Sequence, residues 1–249
     1  MEWTDEAIVL SARRHGETSA VVHLLTRARG LHAGLARGGA GPRGRGLYQA
    51  GNRIAAHWRA RLAEHLGTLT GELVEAHAAA LIDDPLRLAA LSSACAVADA
   101  ALPERQPCAT LFDGLAVLIA ILKSEAQWPA AYVRWEIGLL DVLGFGLSLD
   151  ACAATGHNDD LAYVSPKTGR AVGRVAGEPY RDRLLPLPGF LIGRGAADHE
   201  AVLDGLRLTG RFLERHVFAP HDRAPPPARE RFVERFSRTH TTSGDISAP

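Results

Sequence analysis

Residues 6–39 read EAIVLSARRHGETSAVVHLLTRARGLHAGLARGG, and that stretch decides the fold. It holds three short apolar–polar runs, at 7–13, 19–26 and 31–37, separated by the turn signals His15-Gly16-Glu17 and Arg29-Gly30. Working outward, RIAAHWRA (53–60) and LGTLTGELV (66–74) supply two more runs. The glycine-rich stretch 38–46 and Ala50-Gly51-Asn52 fall between them. Five short, strongly turned strands packed into residues 1–76 predict a small closed barrel of the OB-fold type.

After Ala76 the pattern turns helical. Asp84-Pro85 offers an N-cap and a first-turn proline ahead of LRLAALSSACAVADAAL. Residues 111–123 are apolar nearly all round, as in a central bundle helix. Pro129 opens another helix, with Tyr132, Trp135, Leu139 and Val142 at helical spacing and Gly144 or Gly146 as its stop. Residues 147–195 read as irregular and rich in glycine and proline. A helix from Asp198 to about Phe218 follows, with Val202, Leu206, Phe212 and Leu213 as core positions, and then an amphipathic ARERFVERF. The expected fold class is α+β: a barrel domain at 1–76, a helical domain at 77–146, an insertion at 147–195, C-terminal helices at 196–237 and a disordered tail at 238–249.

The chain has 249 residues, of which 47% are apolar and 22% charged, a globular composition. The opening MEWTDEAIVL carries acids where a secretory signal needs positive charge, so the expected location is the cytoplasm. LAVLIAIL (115–122) is far too short to span a bilayer, and no membrane partner is expected. Cys95, Cys108 and Cys152 are too few and too scattered for a disulfide framework.

The neutral overall charge conceals an asymmetry. Residues 1–61 hold ten arginines against Glu2, Asp5, Glu6 and Glu17, while the remainder holds eighteen basic and twenty-four acidic side chains. A basic module is therefore joined to a mildly acidic body. Such a field attracts polyanions, of which nucleic acid is the commonest in a cell. The competing reading is a solvated basic face with no partner.

Gly39-Ala40-Gly41-Pro42-Arg43-Gly44 matches G-x-G-x-x-G. A dinucleotide fingerprint needs a helix N-terminus directly after that loop, whereas Pro42 interrupts it and two more glycines follow. The stretch reads instead as a long, mobile loop whose amides, with Arg43 and Arg45, reach phosphates. CAATG (152–156) and SPKTG (165–169) have the spacing of a zinc knuckle. Thr155, Ser165 and Thr168 stand where thiolates belong, and neutral hydroxyls do not replace them, so no metal is expected. The HNDD run at 157–160 reads as a turn. His23 and His57, lone in apolar runs, read as structural, and Cys95 as inert core. No motif of nucleophilic, metal or phosphate-loop catalysis is present, and neither an enzyme nor a cofactor is expected.

These residues resemble the RecO family of bacterial recombination mediators. The opening 34-residue stretch and GNRIAAHWRARLAEHLGTLTGE are similar to that family's N-terminal barrel strands. LLDVLGFGLSLDACAATG with YVSPKTGRAV resembles its helix-to-knuckle junction, and LTGRFLERHV its C-terminal helix. The knuckle binds zinc in some members, which the departures above do not carry over. The resemblance implies a non-enzymatic, nucleoid-associated protein that binds single- and double-stranded DNA and anneals complementary strands. With RecR, such a protein helps RecA displace single-strand-binding protein. The expected DNA surface is Arg13, Arg14, Arg27, Arg37, Arg43, Arg45, Arg59 and Arg61, with strand alternation deciding which of them face the strand. Lys123 and Arg134, beside Tyr132 and Trp135, are the expected contacts for the acidic, apolar tail of single-strand-binding protein. An RNA-binding or ribosome-associated OB protein shares the basic barrel and is the alternative. A nucleotide-using enzyme built on the 39–44 loop is the third reading.

Overall fold

Strand β1 (Glu2–His15) is longer than the run at 7–13 because it serves two partners. Its first half pairs antiparallel with β4 (Arg53–Arg59), from Glu2↔Arg59 to Ile8↔Arg53. Its second half pairs with β2 (Ser19–Thr26), from Ala7↔Thr26 to His15↔Ser19. An irregularity between Val9 and Ser11 marks the changeover, as a bulge does where a strand must bend. β3 (Gly30–Ala36) continues from β2, and β5 (Thr68–Glu75) pairs with β4. A parallel bridge, Leu35↔Thr68, closes the barrel in the order β1-β2-β3-β5-β4. Val9, Val22, Leu24, Ile54, Trp58 and Leu69 fill its interior. The computed structural model describes residues 1–62 and 64–239; the expected disordered tail lies, from residue 240 onward, outside the described residues.

One expectation fails between β3 and β4. Residues 38–46 are not a free loop, because Pro42–Leu47 form the short helix α1. Proline at the first turn suits a helix start, where its missing N–H is not needed. Gly44 packs on the backbone of Gly38 and Gly39, where a Cβ would collide. Glycines that look like loop punctuation here permit a close approach of the helix to the turn that follows β3.

The chain divides into two compact units, the first comprising Met1–Ser124 with Pro226–Phe232. Beyond the barrel it contains α2 (His77–Ala80), α3 (Pro85–Ala101) and α4 (Ala109–Ser124). Asp84 caps α3 by accepting from the amides of Leu86 and Arg87. α3 is fastened to the barrel by Asp99, whose carboxylate accepts from Ser11 Oγ (2.9 Å) and lies 2.5 Å from His23 Nδ1. Cys95 is fully enclosed, and burial pushes its thiol up to about 12.

The hydrogen bond to Asp99 raises the His23 pKa above its ordinary value, against the opposing effects of burial and Arg13. A raised native pKa stabilises the fold fully below the unfolded value of about 6.5, and the contribution disappears as pH rises through the native value. Urea midpoints are therefore expected to fall from pH 6 to the alkaline side more steeply in the native protein than in His23→Gln. Parallel pH profiles in the two proteins would refute the pairing as a stabilising one.

The second unit comprises Glu125–Pro225 and the chain from Val233. Its helices are α5 (Trp128–Val142), the single turn α6 (Arg174–Gly177), and α7 (His199–Phe212), which runs on into a π-helical turn, Leu213–Phe218. α8 (Pro227–Arg238) is divided between the two units. α5 stops at Gly144, which takes φ +85. Val202, Leu206, Phe212 and Leu213 are buried as expected; of the α5 residues at helical spacing, Tyr132, Trp135 and Leu139 are buried and Val142 is exposed. Thr209 Oγ1 donates to the buried Glu136 carboxylate at 2.5 Å, joining α7 to α5. The stretch read as irregular contains a three-stranded sheet, with β6 (Leu161–Val164) between β7 (Ala171–Gly173) and β8 (Leu185–Pro186). Among the described residues no helix is long and apolar enough to cross a membrane.

Candidate nucleic-acid interface

Alternation along β4 sorts its side chains. Ile54, Ala56 and Trp58 point into the barrel, while Arg53, His57 and Arg59 take the outer face. Arg53 is ion-paired with Glu6. His57 and Arg59 continue, with Arg61, into an open cleft of about 1020 Å³ that Arg37, His65, Thr68 and Thr70 also line. Glu2 is the one acid among the described lining residues. Its Oε1 lies 2.7 Å from His57 Nε2 and its Oε2 lies 4.0 Å from Arg59 Nε. The hydrogen bond to His57, aided by Arg59, holds the Glu2 carboxyl below its ordinary pKa.

A second cleft, of about 480 Å³, opens beside the β1–β2 hairpin and α1. Arg14 and Arg45 line it with Tyr48, Gln49 and the backbone of Gly39 and Ala40. Arg14 is steadied across its own hairpin by the carbonyls of Gly16 and Glu17, at 3.1 Å each. Arg37 lines the first cleft and Gly39 the second, so the two adjoin where β3 ends. Arg37, Arg43, Arg45 and Arg61 are exposed and make no side-chain hydrogen bond or ion pair among the described residues. The outcome is a basic arc over one side of the barrel, flanked by the β1–β2 and β4–β5 loops that border the binding face of an OB-fold.

Three of the eight expected arginines line neither cleft. Arg27 is held in a fork by Asp113, with Nε–Oδ1 at 2.9 Å and Nη2–Oδ2 at 3.0 Å. Arg13 on β1 and Arg43 on α1 are exposed and line neither cleft. Lys123 is ion-paired with Glu75 in the first unit. Arg134, in the second, donates to the Phe190 carbonyl at 3.0 Å and lies over that ring, 5.2 Å from its centroid. Tyr132 and Trp135 beside it are buried in the core. His57 and His65 are the site residues that reading from sequence missed. The available signal was the i, i+2 relation of His57 to Arg59 on an outward strand face.

The knuckle-like segment keeps a single thiol. Burial raises the Cys152 pKa, but hydrogen bonds from Thr155 and from the amides of Gly173 and Ala154 outweigh it and bring the group to about 7. The Gly173 amide lies 3.2 Å from its Sγ. One thiol among the neutral hydroxyls of Thr155, Ser165 and Thr168 does not fit a zinc ion. No group of three or more metal-ligating side chains occurs among the described residues.

The fold and the arc together define a class: an OB-barrel protein with a polycationic barrel face, a helical body and a small knuckle-like sheet. The family model for the recombination protein O N terminal matches residues 1–77, and that for the recombination protein O C terminal matches residues 82–224. The chain is 61% identical over 251 residues to the DNA repair protein RecO of Rhodospirillum centenum, covering 100% of both chains. It is 51% identical over 245 residues to the DNA repair protein RecO of Rhodospirillum rubrum, covering 96% of this chain and 97% of that one. It is also 46% identical to the DNA repair protein RecO of a Ruegeria species, over 96% and 99% of the two chains. The chain belongs to the RecO family, a membership that supports a role in DNA repair and recombination.

Proposed function

We propose that the protein is a non-enzymatic recombination mediator. It binds single- and double-stranded DNA through phosphates on the barrel face, anneals complementary strands and, with RecR, helps RecA onto gaps coated with single-strand-binding protein. The observation that carries the reading is the pair of adjoining clefts presenting Arg14, Arg37, Arg45, Arg59 and Arg61 on one barrel. Annealing requires no reacting group. It requires that two polyanions be neutralised enough to approach, and held loosely enough for bases to find partners. Guanidinium contacts to phosphate do this without reading sequence. For the tail of single-strand-binding protein the proposed contacts remain Lys123 on α4 and, separately, the exposed Arg134 on α5.

The test is annealing of complementary oligonucleotides, bare and coated with single-strand-binding protein. The protein is expected to accelerate both, with DNA affinity falling by more than tenfold between about 50 and about 200 mM salt. An affinity that ignores salt, or acceleration confined to bare strands, would count against the mediator. Competition between DNA and RNA of one sequence separates this reading from the RNA-binding one, which predicts the stronger competition from RNA.

A further inference from the structure

We propose that Glu2 is a built-in counter-ion of the first cleft: its carboxylate occupies the donors of His57 and Arg59 and must be displaced by an incoming phosphate. The side chain thereby sets how tightly, and how reversibly, the barrel holds a strand. The inference rests on the clefts being the DNA-binding face.

Glu2 is placed by register and not by a chance rotamer. It stands directly opposite Arg59 across the β1–β4 ladder, and Thr4 stands opposite His57. Trp3 between them turns inward and is 7% exposed, which fixes Glu2 on the outer face. The carboxylate lies within hydrogen-bond distance of His57 and 4.0 Å from Arg59. A phosphate oxyanion seeks the same donors that a carboxylate does. The second cleft is different: no acid lines it among the described residues. Arg37 and Arg61 in the first cleft also stand open. A strand therefore meets uncompensated guanidiniums at Arg14, Arg37, Arg45 and Arg61, and one position already filled by an internal anion. Exposed ion pairs of this kind are weak, so thermal exchange between carboxylate and phosphate is easy. A mobile grip at one end of the arc is what strand annealing needs.

Salt dependence supplies a readout that simple loss of structure does not mimic. An arginine neutralised by Glu2 carries no condensed salt anion to exchange, whereas an uncompensated one adds a phosphate contact to the count. Fluorescence anisotropy with labelled oligo-dT on the full chain compares the native protein with Glu2→Gln, which keeps a hydrogen-bonding partner for His57. Glu2→Gln is expected to bind about fivefold tighter at low salt. Its log K against log salt is expected to steepen by about 0.7, with slower dissociation. Asp83→Asn, which removes one negative charge outside both clefts, is the control. Native affinity and slope in Glu2→Gln overturn the counter-ion, as does an equal gain in Asp83→Asn. Salt-independent binding by the native protein removes the cleft reading itself, and Glu2 with it. Normal salt dependence with an unaltered Glu2→Gln removes Glu2 alone.

Discussion

Trp58→Ala is expected to destabilise the protein by about 3–5 kcal/mol, the largest single-site effect in the barrel. Trp58 is 2% exposed. It stacks on Trp3 with centroids 5.7 Å apart and planes 15° from parallel, and His32 meets its edge at 5.7 Å. Truncation therefore leaves a cavity bordered by two further rings that cannot collapse into it. The indole Nε1 also donates to two carbonyls, Ala33 on β3 and Leu66 in the β4–β5 loop, both at 3.0 Å. Gly67 packs on the same ring at φ +68, so a Cβ there would meet the indole. Trp58 thus ties the loop that carries His65 to the strands that carry Arg37 and Arg59. Trp58→Phe keeps most of the packing but leaves both carbonyls without their donor, and an intermediate loss of about 1–3 kcal/mol is expected. Urea unfolding decides the matter. A Trp58→Ala loss below about 1 kcal/mol would show that the ring cluster does not hold the barrel together.

The parts legible in the sequence are those with a local cause. The barrel strands announce themselves through short apolar runs closed by His15-Gly16-Glu17 and Arg29-Gly30, because turn chemistry depends on neighbours in the chain. Asp84-Pro85 marks the start of α3 for the same reason. What stayed hidden depends on distant partners or on very short elements. The six residues of α1 are half glycine and proline, so their helical state follows from packing on Gly38 and Gly39 and not from propensity. β6, β7 and β8, of four, three and two residues, are too short to show a period. In the candidate site the arginines were readable as a cluster, but not their availability. Arg27 and Arg37 are both exposed arginines that each follow a strand. Only the fold brings Asp113 to the first, 86 residues away in the chain, and leaves the second open to the cleft. Likewise His23 found Asp99, as a structural histidine would, while His57 went to the cleft. Charge sorting of this kind is tertiary information.

That sorting ranks the arginines by expected effect. The combined change Arg37→Ala, Arg59→Ala and Arg61→Ala strips the first cleft of every arginine that lines it. At about 1 kcal/mol for each guanidinium–phosphate pair removed, affinity for single-stranded DNA is expected to fall about a hundredfold at low salt. The slope of log K against log salt should shrink by about 1.4, because each phosphate on a single strand accounts for roughly 0.7 of it and Arg59 is already paired with Glu2. The loss should be the same for oligonucleotides of different sequence, since no base edge is being read. Arg43→Ala with Arg45→Ala removes Arg45 from the second cleft together with its neighbour Arg43, which lines neither cleft, and is expected to cost about tenfold, most of it through Arg45. Arg13→Ala with Arg27→Ala removes as much charge, from one residue outside both clefts and one neutralised by Asp113. It is expected to change affinity less than about threefold, through long-range attraction alone. The comparison separates a site from a field. If the three combinations weaken binding in simple proportion to the charge removed, the barrel attracts DNA by its overall potential and the clefts have no special part. If the order is first cleft, then second cleft, then the outlying pair, the path of the strand runs through Arg61, Arg59 and Arg37 toward Arg45 and Arg14.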